Sequence, residues 1–266
     1  MRSEDHRKAA TALLAAEAQR SQISLLSLAN PDMDINDAYA IQKEILAVKI
    51  KAGKKIIGWK IGLTSKAMQS ALNIDIPDSG ILFDDMLFPH QGYVPKCKFI
   101  QPRIEAEIAF VFKETLAGET VSREEVIRAT DFVAPSLEIL DTRIQRKDPN
   151  TGKARTIFDT ISDNAANAGV IIGNEKHKIE AYDLRWIGAI VSRNQEVEET
   201  GLGAGVLNDP IESVIWLARR MAKYDQKIEP GQIVLSGSFI RAIECPSGSH
   251  IVADFGKFGD VEITFE

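Results

Sequence analysis

Hydrophobic and polar positions change their spacing along the chain, and the change predicts helices first and strands afterwards. Residues 3–30 are rich in Ala, Leu, Glu and Gln, and residues 36–52 place isoleucine and valine on one helical face, so both stretches favour helices. From residue 54 onward the period shortens, and the β-branched stretch 54–62 is typical of a strand. We therefore expect a helical N-terminal part, residues 1–62, that leads into the first core strand.

The rest of the chain has mainly the pattern of strands separated by glycine and proline turns. The clearest strand is 103–112, and a second is predicted over 131–140, where Pro135 suggests a sheet edge or a bulge. Helices are predicted at three further places, 65–73, 122–129 and 209–225. This order is not a regular alternation of strand and helix. It predicts an α+β fold with a β-rich domain over 63–266, and it disfavours a doubly wound sheet or a (β/α) barrel.

Composition and charge narrow the range of partners. The 266 residues contain 32 Lys and Arg against 38 Asp and Glu, a formal net charge of −6, which argues against nucleic acid or an anionic membrane as the main partner. No apolar run approaches the roughly 18 residues of a membrane span, and the first residues lack the apolar core of a signal peptide. We expect a cytoplasmic protein, and a small anionic substrate is compatible with this charge.

Two glutamates on one strand face are the first candidates for chemistry. In the strand 103–112, Glu105 and Glu107 lie on the same face about 7 Å apart along the backbone, and Ala109 and Val111 continue that face. Carboxylates bordered by apolar residues need a counter-charge if they are buried, and a metal ion can supply it. A solvent-facing strand also carries acids on one face, so the pattern alone leaves both interpretations open.

Glu138 is a third acidic residue in an apolar stretch, between Leu137 and Ile139. It is either a surface residue of an edge strand or a third ligand of the same ion. The four histidines are scattered along the sequence and form no paired signature, which disfavours a zinc hydrolase. Three carboxylates without histidine or cysteine suit a hard cation, Mg²⁺ or alternatively Mn²⁺.

Three further polar residues are candidates for catalysis. Lys60 stands between Gly58 and Gly62 on one face of its strand, and is either an exposed lysine or one that contacts an anion or transfers protons. Asp78 lies in the turn-like segment IPDSG, and Ser162 lies in DTISDNA, where turn formation and helix capping explain them equally. The residues alone therefore leave their roles open.

Two segments offer contacts for a substrate carboxylate. Ser236 and Ser238 follow a strand in LSGSF, where their hydroxyls can donate hydrogen bonds. The polar stretch 143–155 has the composition of a loop and contains five basic residues, among them Arg143 and Arg155. A solvated basic loop explains this stretch as well as an anion-binding one does.

Six segments occur in order along the chain: GWKIGLTSKAMQ, RIEAEIAFVF, SLEILDTR, FDTISDNAANAGV, ETGLGAGVLNDP and IVLSGSF. Together they resemble the hydratase/decarboxylase family of aromatic meta-cleavage pathways, which belongs to the fumarylacetoacetate hydrolase superfamily. The resemblance extends from about residue 36 to the C-terminus without large gaps. It implies a β-rich mixed roll with a helical N-terminal part, a bound Mg²⁺ and a homo-oligomer.

The resemblance also implies roles for individual residues. The positions that match the family's functional residues are Glu105, Glu107 and Glu138 for the metal, Lys60 for the active-site lysine, Asp78 for the acid of its PDxG loop and Ser162 for its DTISDNA motif. One departure lies next to this loop acid, where the family often has an aromatic residue and this chain has Ser79. A contact between that position and the substrate chain is therefore not implied here.

The implied substrate is a small dicarboxylate, a 2-hydroxy-2,4-dienoate or its 2-oxo tautomer, to which a metal-dependent hydro-lyase adds water. The motifs are most similar to those of hydratases in 4-hydroxyphenylacetate catabolism. These convert 2-oxo-hept-4-ene-1,7-dioate to 4-hydroxy-2-oxoheptanedioate. We expect Arg143 or Arg155 to hold the far carboxylate. The alternatives are hydration of 2-hydroxypenta-2,4-dienoate, decarboxylation of the 4-oxalocrotonate type, and a non-catalytic subunit of a decarboxylase.

Overall fold

A computed structural model describes residues 1–66, 69 and 76–266, and within them two β-sheets and six α-helices are defined. The helices are α1 (Ser3–Gln19), α2 (Leu26–Ala29), α3 (Ile35–Lys51), α4 (Arg123–Ala129), α5 (Ile157–Ser162) and α6 (Pro210–Ala222). The strands are β1 (Ile56–Gly62), β2 (Asp78–Phe83), β3 (Leu87–Phe88), β4 (Gly92–Val94), β5 (Arg103–Phe112), β6 (Thr130–Leu140), β7 (Asn167–Ile172), β8 (Gly188–Arg193), β9 (Glu196–Leu202), β10 (Ile233–Leu235), β11 (Ile243–Glu244), β12 (His250–Asp254) and β13 (Asp260–Phe265). The helix predicted over 65–73 lies largely outside the described residues.

The larger sheet is mixed and has the strand order β2-β1-β10-β5-β6-β7-β3, with β11 also paired to β5. In it β1 runs parallel to β10 and β3 parallel to β7, whereas β5 is antiparallel to β10, β6 and β11. The smaller sheet has the order β4-β13-β12-β8-β9. Two mixed or antiparallel sheets with helices concentrated in the N-terminal part confirm the predicted β-rich α+β class.

The two longest strands, β5 and β6, form the centre of the larger sheet. Their alternation buries Ile104, Ile108 and Phe110 in the main apolar core on one face, and it turns the glutamates of both strands to the other face. The prediction that Pro135 marks a sheet edge or a bulge is wrong, because β6 pairs with β5 on one side and β7 on the other, and its register shifts lie elsewhere. Pro135 is tolerated because the β7 ladder ends there, at the pair between Ser136 and Ile172.

The N-terminal helices form a second apolar cluster against the sheet domain. Residues that α1 and α3 bury pack together with Ile144 and Ile161, which come from the segment between β6 and β7. The helix predicted over 3–30 is shorter in the structure, because Ile23 leaves the helix to exchange backbone hydrogen bonds with Arg143 and Gln145. The predicted boundary near residue 62 stays a prediction, since this cluster draws on both sides of it.

The first turn of the short helix α5 contains a buried aspartate whose two carboxylate oxygens both accept hydrogen bonds. Asp159 in α5 is fully buried and accepts hydrogen bonds from the backbone and hydroxyl groups of both Ser27 and Thr156. These hydrogen bonds anchor the start of α5, the helix that precedes the turn before β7.

In the part of the chain covered by the structure, no helix combines the length and apolar character that a membrane span requires.

Candidate active site

Three glutamates converge on the polar face of β5 and β6. Glu105 and Glu138 are direct partners in the β5–β6 register, and Glu107 lies two residues further along β5. Ligand oxygens of all three lie within 4.8 Å of one another. Glu107 and Glu138 are fully buried, whereas Glu105 keeps some exposure. The geometry therefore brings together the three acids that the sequence selected.

Each buried glutamate uses one oxygen for the protein and leaves the other unused. Glu107 Oε2 accepts a hydrogen bond of 2.7 Å from the Gly237 N–H, and Glu138 Oε1 accepts one of 2.7 Å from Asn167 Nδ2. The second oxygens, Glu107 Oε1 and Glu138 Oε2, are buried without a hydrogen-bond partner among the described residues. Buried carboxylate oxygens without a donor are costly, and oxygen ligands of this kind suit a hard divalent cation. The donor set therefore fits Mg²⁺ or Mn²⁺.

The charges of this group perturb one another strongly. Burial, followed by the neighbouring charge of Glu138, raises the pKa of Glu105 to about 7. Burial and the other two acids raise the pKa of Glu107 well above its usual value, and burial raises that of Glu138. Without a bound cation the fold thus favours protonated glutamates, and a bound cation would displace those protons.

Lys60 faces the glutamates from β1. Its Nζ lies 3.3 Å from Glu138 Oε1 and donates a hydrogen bond of 3.2 Å to the Ala165 carbonyl. Burial acts to lower the pKa of Lys60, but the charges of the surrounding acids, Glu138 first, raise it above its ordinary value. A Cβ at Gly62 would lie 3.1 Å from Lys60 Nζ and 2.2 Å from Asp78 Oδ1, so this glycine provides the space in which lysine and aspartate meet.

A strained turn before β7 completes the surroundings of Lys60. Asn164, Ala165 and Ala166 all have left-handed backbone conformations, with φ of 51°, 52° and 59°. Asn164 holds the turn to β2 by donating to the Ile81 carbonyl and accepting from the Ile81 N–H. Three successive non-glycine residues in this region are energetically unfavourable, and such strain is typical of functional sites. Here it directs the Ala165 carbonyl at Lys60.

Asp78 and two serines supply further polar atoms without partners in the described chain. Asp78 Oδ1 is buried, and burial raises the pKa of this carboxyl against the opposing charge of Lys60. Ser236 Oγ is also buried, next to the Gly237 that donates to Glu107. Ser162 Oγ is buried at the end of α5. Gln42 donates hydrogen bonds to the carbonyls of residues 79 and 161, so the C-terminal end of α5 lies beside the start of β2.

Two side chains that were predicted to contact the substrate form hydrogen bonds within the protein. Arg143 is buried, forms an ion pair of 2.5 Å with Asp163, and donates to the carbonyls of Asp163 and Asn167. Ser238 Oγ donates to the Ile240 carbonyl and accepts from the Ile240 N–H, which closes a local turn. These groups are thus engaged within the protein, and a contact of Arg143 or Ser238 with the substrate stays a prediction. Arg155 keeps a buried Nη1 without a partner in the described residues.

Sequence reasoning missed the residues that hold the glutamates in place. Asn167 lies in the DTISDNAAN segment, but nothing in its spacing connects it to Glu138, which is 29 residues earlier in the sequence. Gly237 lies between the two serines that the sequence indicated. Its φ of +111° and the closeness of Thr64 to its Cβ position require glycine. The available signal was the glycine between two serines directly after a strand.

Comparison with known proteins gives closely similar relatives. The chain is 48% identical over 250 residues to a 2-oxo-hept-4-ene-1,7-dioate hydratase from Escherichia coli, covering 94% of each. It is 35% identical over 266 residues to a 2-keto-4-pentenoate hydratase from Paraburkholderia xenovorans, covering 100% of this chain and 97% of the relative. No protein-family model matches.

A solved structure agrees with this relationship. The fold superimposes on the 4-oxalocrotonate decarboxylase from Pseudomonas putida G7, solved with magnesium and adipate, with a TM-score of 0.93 and 33% identity, covering 100% of this chain and 99% of that one. Relatives above 30% identity along nearly the whole length extend the likeness of single motifs to the full chain. The chain thus belongs to the hydratase/decarboxylase family of the fumarylacetoacetate hydrolase superfamily.

Proposed function

We propose that the protein is a divalent-metal-dependent hydratase that converts 2-oxo-hept-4-ene-1,7-dioate, through its 2-hydroxy-2,4-diene form, to 4-hydroxy-2-oxoheptanedioate. The observation that carries this proposal is the group of three glutamates with two unused buried oxygens facing one buried lysine. The similar hydratase from Escherichia coli, which bears the name of this activity, supports the choice of substrate.

Glu105, Glu107 and Glu138 would hold the cation. A bound Mg²⁺ supplies a Lewis acid that polarises the substrate's 2-oxygen and first carboxylate. Mg²⁺ is our first choice and Mn²⁺ the second, because the similar decarboxylase was solved with magnesium and all ligands here are carboxylates. Ser236 Oγ, buried beside this group, is our candidate donor to the first carboxylate.

The chain's own acids and bases would move the protons. Lys60 is our candidate for transferring a proton between the 2-oxygen and carbon 5 of the dienol. Its ammonium group lies among the glutamates and donates to the Ala165 carbonyl, which supports this choice. Asp78 is our candidate for holding the water that adds at carbon 4 and for accepting its proton. Ser162 lies at the helix end next to β2 and would assist Asp78 in positioning that water.

An ultraviolet assay tests this function directly. The decay of 2-hydroxyhepta-2,4-diene-1,7-dioate should be fast with Mg²⁺ and should stop with a chelator, and the product should be the 4-hydroxy-2-oxo diacid. Glu107→Gln should lose both metal binding and turnover, whereas the matched change at an exposed glutamate, Glu114→Gln, should keep both. Chelator-resistant hydration, or full turnover by a metal-saturated Glu107→Gln protein, would overturn the proposal.

Decarboxylation of the 4-oxalocrotonate type is the second candidate, because the similar structure is a decarboxylase whose fold agrees over the whole chain. Measuring carbon dioxide release from 4-oxalocrotonate separates the two. Release faster than hydration of the seven-carbon diacid would favour the second candidate. A protein that turns over neither compound would favour the role of a non-catalytic subunit.

We also propose that the protein works in 4-hydroxyphenylacetate catabolism, in the cytoplasm, as a homo-oligomer. The resemblance of the chain's motifs to those of hydratases of that pathway supports this assignment. Exposed apolar side chains on and beside β8 and β9, including Trp186, Ile190 and Leu202, support self-association. Light scattering of the purified protein would determine its oligomeric state, and a monomer would contradict this part.

A further inference from the structure

Three arginines lie together beside the glutamate group, and one of them, Arg155, is among the two that the sequence suggested for the far carboxylate. Arg103 is on the same face of β5 as Glu105, two residues before it and thus about 7 Å away along the strand. Arg146 and Arg155 come from the loop between β6 and α5, whose two arms are joined by the Lys147–Ala154 bridge. This arginine cluster, Arg103, Arg146 and Arg155, is brought together by the fold from three separate places in the sequence.

Specific backbone contacts hold the arginine cluster together. The Arg155 N–H donates a hydrogen bond of 3.0 Å to the Arg146 carbonyl across the loop. Glu244 is the register partner of Arg103 in the β11–β5 pair, and its Oε1 accepts a hydrogen bond of 2.6 Å from Arg146 Nη1. The same glutamate therefore links the loop to the strand and places the side chains of Arg103 and Arg146 next to each other.

The arginine cluster has more buried donors than the described chain satisfies. Arg103 Nε, Arg146 Nε and Nη2, and Arg155 Nη1 are all buried without a hydrogen-bond partner among the described residues. Burial, followed by the charge of Arg146, lowers the pKa of Arg103, and the pKa of Arg155 is lowered mainly by burial. Apart from the Arg146–Glu244 pair, these guanidinium groups repel each other and keep buried donor atoms without acceptors, which forms a site for an anion. Guanidinium geometry fits a carboxylate.

We propose that Arg103, Arg146 and Arg155 bind the far carboxylate of the substrate and thereby select a dicarboxylate over a monocarboxylate. This inference rests on the proposed function, which places the first carboxylate and the 2-oxygen at the glutamates. From there the chain of a seven-carbon diacid runs along the face of β5 toward Arg103. Arg155 also interacts electrostatically with Asp78, the residue proposed to hold the water that adds at carbon 4.

Two stable ligands that differ only at the far end test this directly. We would titrate the Mg²⁺-loaded protein with 2-oxoheptanedioate and with 2-oxoheptanoate, which have the same length but end in a carboxylate and a methyl group. The protein should bind the diacid more tightly by about tenfold to hundredfold, the range expected for a hydrogen bond to a charged group. Arg103→Met, Arg146→Met and Arg155→Met should each lose most of this preference and keep the affinity for the monoacid.

A matched control is Arg128→Met, since Arg128 is a solvent-exposed arginine on α4. It should keep the full preference for the diacid. Arg146→Lys should keep part of it, because the charge remains while the planar donor pair is lost. Thermal melting of each variant shows whether it is folded, and only folded variants are compared.

The outcomes separate the two levels of the argument. Failure of the Mg²⁺-loaded protein to bind either oxo acid would contradict the proposed function itself. Equal binding of the two ligands by the unmodified protein, or a preference that survives in all three cluster variants, would overturn the role of the arginine cluster alone. An equal loss of affinity for both ligands in the variants would show a structural role and would also overturn it.

Discussion

Removing the divalent cation should make the protein less stable as the pH rises, and the contribution of Glu105 to this effect can be worked out from its pKa. Burial and Glu138 raise the pKa of Glu105 to about 7 in the metal-free fold, against an ordinary value of 4.5. The folded state then binds this proton more tightly than the unfolded chain does. Its stabilising contribution is therefore complete below the ordinary value and is lost as the pH rises to the folded value.

The magnitude follows from these two pKa values. Each pH unit between them corresponds to about 1.4 kcal/mol, so ionising Glu105 lowers the unfolding free energy of the metal-free protein by about 3.5 kcal/mol at most. The figure is an upper limit because Glu105 keeps some exposure and water screens its charge. A bound cation stabilises the ionised carboxylate, so this loss should disappear when Mg²⁺ is present.

Urea denaturation at about pH 5 and about pH 8, with Mg²⁺ or with a chelator, measures the effect. The stabilisation by Mg²⁺ should be larger at the higher pH. Glu105→Gln should reduce the pH dependence of the metal-free protein, whereas Glu114→Gln at an exposed position should leave it unchanged. The reasoning would be refuted if the metal-free protein and its Glu114→Gln control had equal unfolding free energies at both pH values. A free energy of unfolding that rises with pH in both proteins would also refute it.

Three substitutions give further tests. Lys60→Met should lower kcat by about 10²- to 10⁴-fold while calorimetry still detects Mg²⁺ binding, because it removes the proposed proton carrier but none of the proposed metal ligands; unchanged kcat would contradict this. Gly62→Ala should abolish turnover in a folded protein, since its Cβ would displace Asp78 Oδ1 and Lys60 Nζ; a crystal structure with both groups unmoved would disprove the clash. Asn167→Ala should weaken Mg²⁺ affinity about 10- to 100-fold, because it frees Glu138 Oε1; affinity within twofold of the original would exclude the positioning role.

The site residues that could be predicted from the sequence are those whose strand face follows from the two-residue period. Alternation places Glu105 and Glu107 on one face, and a long strand of apolar residues around Glu138 indicates that it too is buried. Lys60 was recognisable because a glycine lies on each side of it on the same strand face, and the structure shows that Gly62 leaves room for its side chain. Strand spacing and local composition suffice for these positions, since each depends on its immediate neighbours.

Contacts between distant segments were not predictable in the same way. Arg143 looked like a free loop arginine, but Asp163 neutralises its charge and two carbonyls accept its other hydrogen bonds. No local pattern in the sequence shows these partners. Pro135 looked like an edge residue, but it lies in a central strand at the point where the hydrogen-bonded pairing with β7 ends. The sequence does not show where β7 stops. Arg103 shares the face of Glu105, yet only the pairing of β11 with β5 shows that it meets Arg146.

The register of β5 and β6 explains why the site needs a divalent cation rather than a single positive side chain. Glu105 and Glu138 are direct cross-strand partners, and like charges in that arrangement destabilise a sheet even at an exposed position. With Glu107 the ionised group carries three negative charges, and Lys60 offsets one of them. The remaining two equal the charge of one divalent ion, which would also use the two buried oxygens that lack donors in the described chain. A second lysine would offset only one charge, so the same sheet with an amine in place of the ion would still hold an unpaired buried carboxylate.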